Sequence, residues 1–305
     1  MFFRNLTLFR FPESVQKSLK NLQKDLEQHR LRECGPLELA TRGFVSPFGR
    51  ESDVLSHQVG AYTLLTVGTE ERLLPSVVVA EALADRIDRI HQKEGRRPGA
   101  KERKRLKDEV ISELLPRAFI RPSRLSAYLD GKNGWFVVDS ASRKAAEDAV
   151  SQVREALGRF PATPMAPAES PRGLMTGWLI DGKLPPGLVL GEECELRDPA
   201  EAGAIVRCRR QDLESDEVRE HLKSGKQVFQ LGLVFDDRMS FVLGEDLVVR
   251  KLKFLDVVLD TLGAQDADSK QAELDAVFAL MTLELANLFE RLDQWFAIPR
   301  PGERD

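Results

Sequence analysis

Two Asp-Gly-Lys triplets, Asp130-Gly131-Lys132 and Asp181-Gly182-Lys183, are the first places to look for chemistry. Magnesium-dependent nucleases gather carboxylates and a lysine around the scissile phosphate, and both triplets offer those side chains. Asp236-Asp237 offers carboxylates as well. Asp-Gly is also ordinary turn chemistry, and a turn is the expectation at all three places. Gly225-Lys226-Gln227 has the ending of a phosphate-binding loop, yet Glu220 and Gln227 stand where that loop needs glycine and a hydroxyl residue. The four histidines, His29, His57, His91 and His221, form no H-E-x-x-H or similar ligand spacing, and no G-x-S-x-G elbow presents a serine. Cys34, Cys194 and Cys208 are widely spaced and odd in number, without a C-x-x-C pair, and read as reduced packing residues. These types and spacings predict no catalytic centre, no metal and no cofactor.

The feature with a physical consequence is a cluster of charge. From Arg96 to Arg124 ten basic residues (Arg96, Arg97, Lys101, Arg103, Lys104, Arg105, Lys107, Arg117, Arg121, Arg124) face four acidic ones (Glu102, Asp108, Glu109, Glu113), a local net of +6 in a chain of net charge -4. The other residues therefore carry -10. A basic surface on an acidic body draws a polyanion to one face only. Each lysine or arginine that meets a phosphate releases condensed counterions, a gain indifferent to base sequence. The alternative is a solvated helix face whose own Glu102, Asp108 and Glu109 quench the field. Both readings stand at this level.

The elements that would carry the cluster follow from pattern. Phe2 to Phe11 reads as a strand, Pro12 to about His29 as a helix, and Leu37 to Ser46 and His57 to Thr69 as two strands, with Gly60 near a turn in the second. Val78, Ala82, Leu83, Ile87 and Ile90 give a helix over Pro75 to Lys93, closed by Gly95 and Pro98-Gly99. A second helix runs from Ala100 to Leu115, with Leu106, Val110, Ile111, Leu114 and Leu115 on its apolar face and the cations outward. Leu125 to Leu129 and Trp135 to Asp139 form a hairpin around Asp130 to Gly134, and Ser142 to Leu157 is a helix. Pro161, Pro164, Pro167 and Pro171 mark an extended connector.

Beyond the connector come a short helix around Leu174 to Leu179, strands at Leu188 to Leu196 and Ala204 to Arg209, and a helix at Asp216 to Ser224. Strands follow at Gln227 to Phe235, Met239 to Leu243 and Leu247 to Phe254. Ser269 to Phe296 is a long helix: Leu274, Phe278, Met281, Leu285, Leu288, Leu292 and Trp295 repeat at alternating four and three residues. That seam faces either its own core or a second subunit, and Leu285, Leu288 and Leu292 are the candidate contacts in the second case. The division expected is 1–75, a basic segment and tip at 76–124, 125–160, the connector at 161–172, a second unit at 173–260 and the C-terminal helix at 261–305.

Composition, 42% hydrophobic and 31% charged, is that of a soluble globular protein. The start of the chain lacks the apolar run of a signal peptide, and no stretch approaches the ~18 apolar residues of a membrane span. A cytoplasmic protein without membrane contact is expected.

Several segments together resemble the RdgC family of bacterial recombination-associated DNA-binding proteins. They are Phe3-Arg4-Asn5-Leu6, Cys34-Gly35-Pro36-Leu37, Gly43-Phe44-Val45-Ser46-Pro47, Gly68-Thr69-Glu70 with Leu73-Leu74-Pro75-Ser76, and Glu113-Leu114-Leu115-Pro116-Arg117-Ala118-Phe119. Asn133-Gly134-Trp135, Cys194-Glu195-Leu196-Arg197, Gly225-Lys226-Gln227 and Asp237-Arg238-Met239-Ser240-Phe241-Val242-Leu243 complete the set. The resemblance implies an α+β fold of mixed antiparallel sheets with amphipathic helices, in a horseshoe-shaped subunit. Two subunits would meet as a ring-like homodimer around double-stranded DNA, in the nucleoid, and restrain RecA-driven strand exchange. It brings no catalytic residues. Carried over by motif, Lys226 and Gln227 sit where a projecting element approaches DNA, and Phe119 lies near a subunit contact. Phe119 is also a large apolar residue between Pro116 and Pro122, poorly placed for a helical core. Arg97 and Lys101 lie in the basic connection, and Arg96, Arg103, Lys104, Arg105 and Lys107 extend it. The sequence departs from the family at Ile120-Arg121-Pro122-Ser123. A magnesium nuclease and a protein-only regulator of a recombinase are the competing classes.

Overall fold

The computed structural model describes residues 2–200, 203–263 and 269–302, so a few positions of the first, fifth and last segments drawn above lie outside the described residues. The chain builds two antiparallel sheets with helices against them, which is the α+β mixture expected. The first sheet takes β1 (Thr7–Arg10), β2 (Ala40–Val45), β3 (Ser56–Val59), β4 (Tyr62–Arg72), β5 (Ile120–Asp130), β6 (Trp135–Val138) and β7 (Thr163–Pro164), ordered β2-β4-β5-β6-β1-β7 with β3 also on β4. Against this sheet lie α1 (Leu22–Glu27), entered through a 3-10 stretch at Glu13–Asn21, and α4 (Arg143–Leu157). Ser142 caps α4 by accepting a hydrogen bond from Ala145 N, and Gly158 closes it in the left-handed conformation. Between β4 and β5 the chain leaves the sheet as two helices, α2 (Ser76–Glu94) and α3 (Ala100–Leu114).

The second sheet holds β8 (Leu188–Arg197), β9 (Ile205–Arg209), β10 (Gln227–Phe235), β11 (Met239–Gly244) and β12 (Val249–Phe254), ordered β12-β11-β10-β8-β9. Helices α5 (Pro171–Asp181), α6 (Asp216–Lys223), α7 (Asp256–Gly263) and α8 (Lys270–Phe296) complete this half. One side of the sheet is core: Leu231, Leu233 and Phe235 of β10 with Met239, Phe241 and Leu243 of β11 are all buried. The halves are joined by backbone as well as packing. Leu6 N donates to Val249 O (2.7 Å), Val249 N to Leu6 O (3.0 Å) and Leu252 N to Arg4 O (2.8 Å), so the chain start covers the β12 edge before entering β1. Helix α8 is keyed into both, since its Phe289 meets Trp135 of the first sheet and its Trp295 meets Phe235 of the second.

Several sequence expectations change here. The stretch read as one strand from His57 to Thr69 is a hairpin, because Gly60 takes φ +60 and pairs Val59 with Tyr62 across a tight turn. The helix after Pro12 is α-helical only from Leu22. Helix α7 went unread. The cysteines are not all apart: Cys194 and Cys208 face each other across β8 and β9, both buried. Burial first, and then the neighbouring sulfur of Cys208, push the Cys194 thiol up to about 12.

The a/d seam of α8 is spent inside the chain. Leu285, Leu288 and Leu292 are 0% exposed in the hydrophobic core of one copy. Their proposed place at a dimer interface is therefore corrected: a side chain with no accessible surface in the isolated subunit has none to bury against another.

Candidate nucleic-acid interface

Helix α3 turns 100° per residue, which sorts its charges by side. Leu106 and Val110 point to the buried face. Taking that rotation, Glu102, Glu109 and Glu113 fall together on one flank with Arg105 beside them, while Lys107, Lys104 and Lys101 fall on the other side with Asp108 among them. Ion pairs bear the sorting out. Arg86 of α2 meets Glu113 at 2.8 Å and Glu109 at 3.7 Å, and Arg96, just past the end of α2, meets Glu102 at 2.6 Å. The carboxylates that could have quenched the cluster are thus held mainly toward α2.

The predicted contacts divide accordingly. Arg96 is gripped by both Glu94 and Glu102, hydrogen bonding and charge that raise its pKa further, so its guanidinium is already occupied. To meet a phosphate, Arg96 would have to exchange these carboxylates for it. Arg105 pairs with Glu109 at 3.4 Å. Arg103 donates only to the Pro98 carbonyl at the start of its own helix. Arg97, Lys101, Lys104 and Lys107 are exposed and have no ion-pair partner among the described residues. These four, with Arg103, form the open cationic strip.

Phe119 stands nearby in sequence, and the structure explains how it is displayed. It is 83% exposed, between a 3-10 turn at Leu115–Arg117 and the start of β5. Arg72 anchors the turn. Its Nη1 donates to the carbonyls of Leu115 and Ala118, each at 3.2 Å, its Nη2 to Cys34 O (3.2 Å) and its Nε to Gly35 O (3.1 Å). Leu73 N donates to Phe119 O (2.8 Å) and Arg72 N to Leu39 O (2.8 Å), which brings Leu39, Leu73 and Phe119 to one end of the sheet. Leu37, Leu39, Leu73, Val77, Val78 and Ile120 are exposed there too. An apolar collection of this kind marks an interaction site more often than a solvent face. The sequence reading found Phe119 but missed its neighbours and Arg72. Val78, counted above in the apolar pattern of α2, is instead exposed beside Val77, and Leu37 and Leu39 of the predicted strand are exposed as well.

Lys226 and Gln227 belong to the other half, on the turn from α6 into β10. Gly225 takes φ +92 there, and Lys226 N donates to His221 O (3.2 Å) while its Nζ donates to Ser224 Oγ (3.1 Å). The base of the turn is clamped: Val228 N donates to Thr176 Oγ1 (2.9 Å), and the guanidiniums of Arg172 and Arg197 lie 4.3 and 4.5 Å from the Phe229 ring. The structure thus places the two predicted sets apart in the fold, with Lys226 and Gln227 at the turn into β10 and the rest on α3 and the connection that leads into it from α2.

Of the carboxylates weighed for nuclease chemistry, Asp181 is the last residue of α5, which Gly182 closes in the left-handed conformation, and the others take turn roles. Asp130 accepts from Lys132 N, Asn133 N and Asn133 Nδ2, closing the β5–β6 hairpin. Asp236 and Asp237 occupy a hairpin with φ of 50 and 53. Among the described residues no three His, Cys, Asp or Glu gather as a metal-ligand set, and no helix is long and apolar enough to cross a membrane.

Residues 1–298 match the family model described as "Putative exonuclease, RdgC". Over 294 residues, 96% of this chain, the sequence is 53% identical to the recombination-associated protein RdgC of Xanthomonas campestris pv. campestris (strain B100), of which 97% is covered. It is 53% identical over the same span to the protein of that name from Xanthomonas axonopodis pv. citri (strain 306). For the one from Stenotrophomonas maltophilia (strain R551-3) the identity is 48% over 301 residues, 98% of this chain and 99% of the relative.

Proposed function

Because the chain belongs to the RdgC family of recombination-associated proteins, we propose that it binds double-stranded DNA without regard to sequence, as a ring-like homodimer that encloses the duplex. The observation that carries the reading is the sorted charge of α3. Lysines without an ion-pair partner among the described residues cover one flank, with Asp108 the one acid among them, and Glu102, Glu109 and Glu113 are tied back to Arg86 and Arg96. Such a strip gains from every phosphate it meets and reads no base edges. The apolar collection around Phe119 is the contact by which a second copy closes one end, with Arg72 fixing the loop that presents it. Protein held on the duplex in this way restrains RecA-driven strand exchange by occupying the DNA, as a nucleoid-associated protein without catalysis of its own.

Phe119→Asp tests the closure. Sedimentation of the variant should show weakened self-association, and complexes with covalently closed circular DNA should dissociate faster at raised salt. Unchanged assembly together with unchanged retention on circles would remove Phe119 from the contact.

The exonuclease of the family description is a second reading, and it has a direct test. Incubation of the pure protein with end-labelled linear duplex and magnesium should leave the DNA intact; release of nucleotides from an end would establish the enzyme and overturn the non-catalytic reading. A mobility shift with no other protein present separates a DNA binder from a regulator that acts on the recombinase alone.

A further inference from the structure

The face of the second sheet opposite the core is open. Across the order β12-β11-β10-β8-β9 it forms a trough lined by Gly191, Gly232, Val234, Ser240 and Val242 on the inner strands. Arg209 and Arg210 stand on one side, at β9 and just past it, and Lys251 and Lys253 of β12 on the other. The outer strands are four inter-strand spacings apart, about 19 Å.

The floor is kept low by close backbone approach. A Cβ added at Gly191 would sit 3.0 Å from the Gly232 carbonyl carbon, and one at Gly232 would sit 2.9 Å from Glu193 O. The rim is shaped by irregularity. The β11–β12 register shifts between Ser240 and Val242, where Lys251 takes φ 53, and Arg210 also takes φ 53. Bulged positions re-aim side chains, and a positive φ is uncommon for residues other than glycine.

Two carboxylates line the trough, Glu192 and Glu193. Glu193 is paired with Lys251. Arg209, Arg210 and Lys253 have no ion-pair partner among the described residues and are exposed. The third nearby acid, Glu195, is taken by Arg197 and Arg207; burial works to raise its pKa, but hydrogen bonds from the two guanidiniums hold it below the ordinary carboxylate range.

We propose that this trough is a second phosphate-contacting surface for duplex DNA, engaged through Arg209 and Arg210 along one backbone and Lys253 along the other. The inference rests on the DNA-binding reading above and adds a surface in the other half of the chain. Charge complementarity selects a polyanion. The only aromatic residue among those lining the trough, Phe241, has its side chain buried on the core side, so unpaired bases have no ring to stack on. Small and aliphatic floor residues offer no side-chain amide or guanidinium to read a base edge, which leaves the sugar–phosphate backbone as the fitting partner. Rows about 19 Å apart at the backbone, with long cationic side chains lining the space between, suit the two strands that bound a major groove about 12 Å wide.

The experiment uses full-length protein and a duplex of arbitrary sequence. Arg209→Gln, Arg210→Gln and Lys253→Gln are combined, and the slope of log affinity against log salt is compared with that of the unaltered chain. Loss of three phosphate contacts makes the slope shallower by about 2.7. A photo-crosslinking residue in place of Ser240, on the trough floor, should form an adduct with the duplex. An unchanged slope overturns the proposal, as does a Ser240 probe that captures only protein or nothing while a probe at Lys104 captures DNA. If the unaltered chain binds no duplex at all, the DNA-binding reading falls first and this surface falls with it.

Discussion

Replacing Lys101, Lys104 and Lys107 together with glutamine tests the α3 strip quantitatively. All three lie on the flank turned away from Glu102, Glu109 and Glu113 and lack ion-pair partners among the described residues. Their removal therefore breaks no salt bridge, and the fold should tolerate it. If each meets one phosphate, the triple variant loses three contacts, each contributing about 0.9 to the slope of log affinity against log salt. Between about 50 and 200 mM salt, a fourfold change, three contacts account for roughly a 40-fold fall in affinity. The unaltered protein should thus lose about 40 times more affinity over that interval than the variant does. Fluorescence anisotropy on a labelled duplex at five or six salt concentrations reads both slopes. Parallel lines, displaced or not, would refute the reasoning, because a displaced line of equal slope reports a change other than lost counterion release. A matched double variant, Glu94→Gln with Glu102→Gln, should release Arg96 and steepen the slope by up to one contact, about 0.9.

Three further outcomes check the architecture. Leu285→Ala should destabilise the subunit by about 2–5 kcal/mol in chemical denaturation and leave its self-association unchanged; weakened association at undiminished stability would return the α8 seam to an interface. Arg238→Ala should cost about 3–5 kcal/mol, because it leaves Glu284, buried and held by bonds of 2.5 and 2.7 Å, without its partner; a change below about 1 kcal/mol in thermal melting would refute that reasoning. Glu38 should titrate near 2 by carboxyl carbon chemical shift, since the Arg32 guanidinium and the Gly35 amide hold it below its ordinary 4.5. The folded chain binds fewer protons than the unfolded one between those values. The stabilisation is therefore complete above 4.5 and disappears as pH falls through 2, and a midpoint at the ordinary value would dissolve the link between this loop and Arg32.

Much of the fold is legible because its signals are local. Ser142 and Gly158 bracket α4, Gly95 ends α2, and the Asp130 to Gly134 turn makes the hairpin, each by chemistry confined to a few neighbours. What is illegible depends on partners distant in sequence. A heptad spacing says that Leu285, Leu288 and Leu292 share a side, but only Trp135 and Phe235, one from each sheet, and Trp178 of α5 show what shares their core. A charge sum over Arg96 to Arg124 cannot tell Lys104 from Arg96, because the difference lies in Arg86 on the preceding helix and in the rotation of α3. Cys194 and Cys208 are separated in sequence yet adjacent through strand register alone. Gly60 signals a turn inside His57 to Thr69, but Gly60 and Ala61 are the whole of it, too short for composition to show that the stretch splits into two paired strands. The trough was beyond reach for the same reason as the seam: Arg209 and Lys253 stand on strands that only the sheet order sets facing each other.

Helix α8, wedged between the two sheets, and the backbone bonds that join Leu6 to Val249 and Arg4 to Leu252 tie one half of the chain to the other. In the ring proposed above, a duplex without free ends would enter a closed pair of such bodies only if a seam between copies parts. The ease of loading would then be a property of the Phe119 end and its companions, and tightening that contact would slow entry as much as escape.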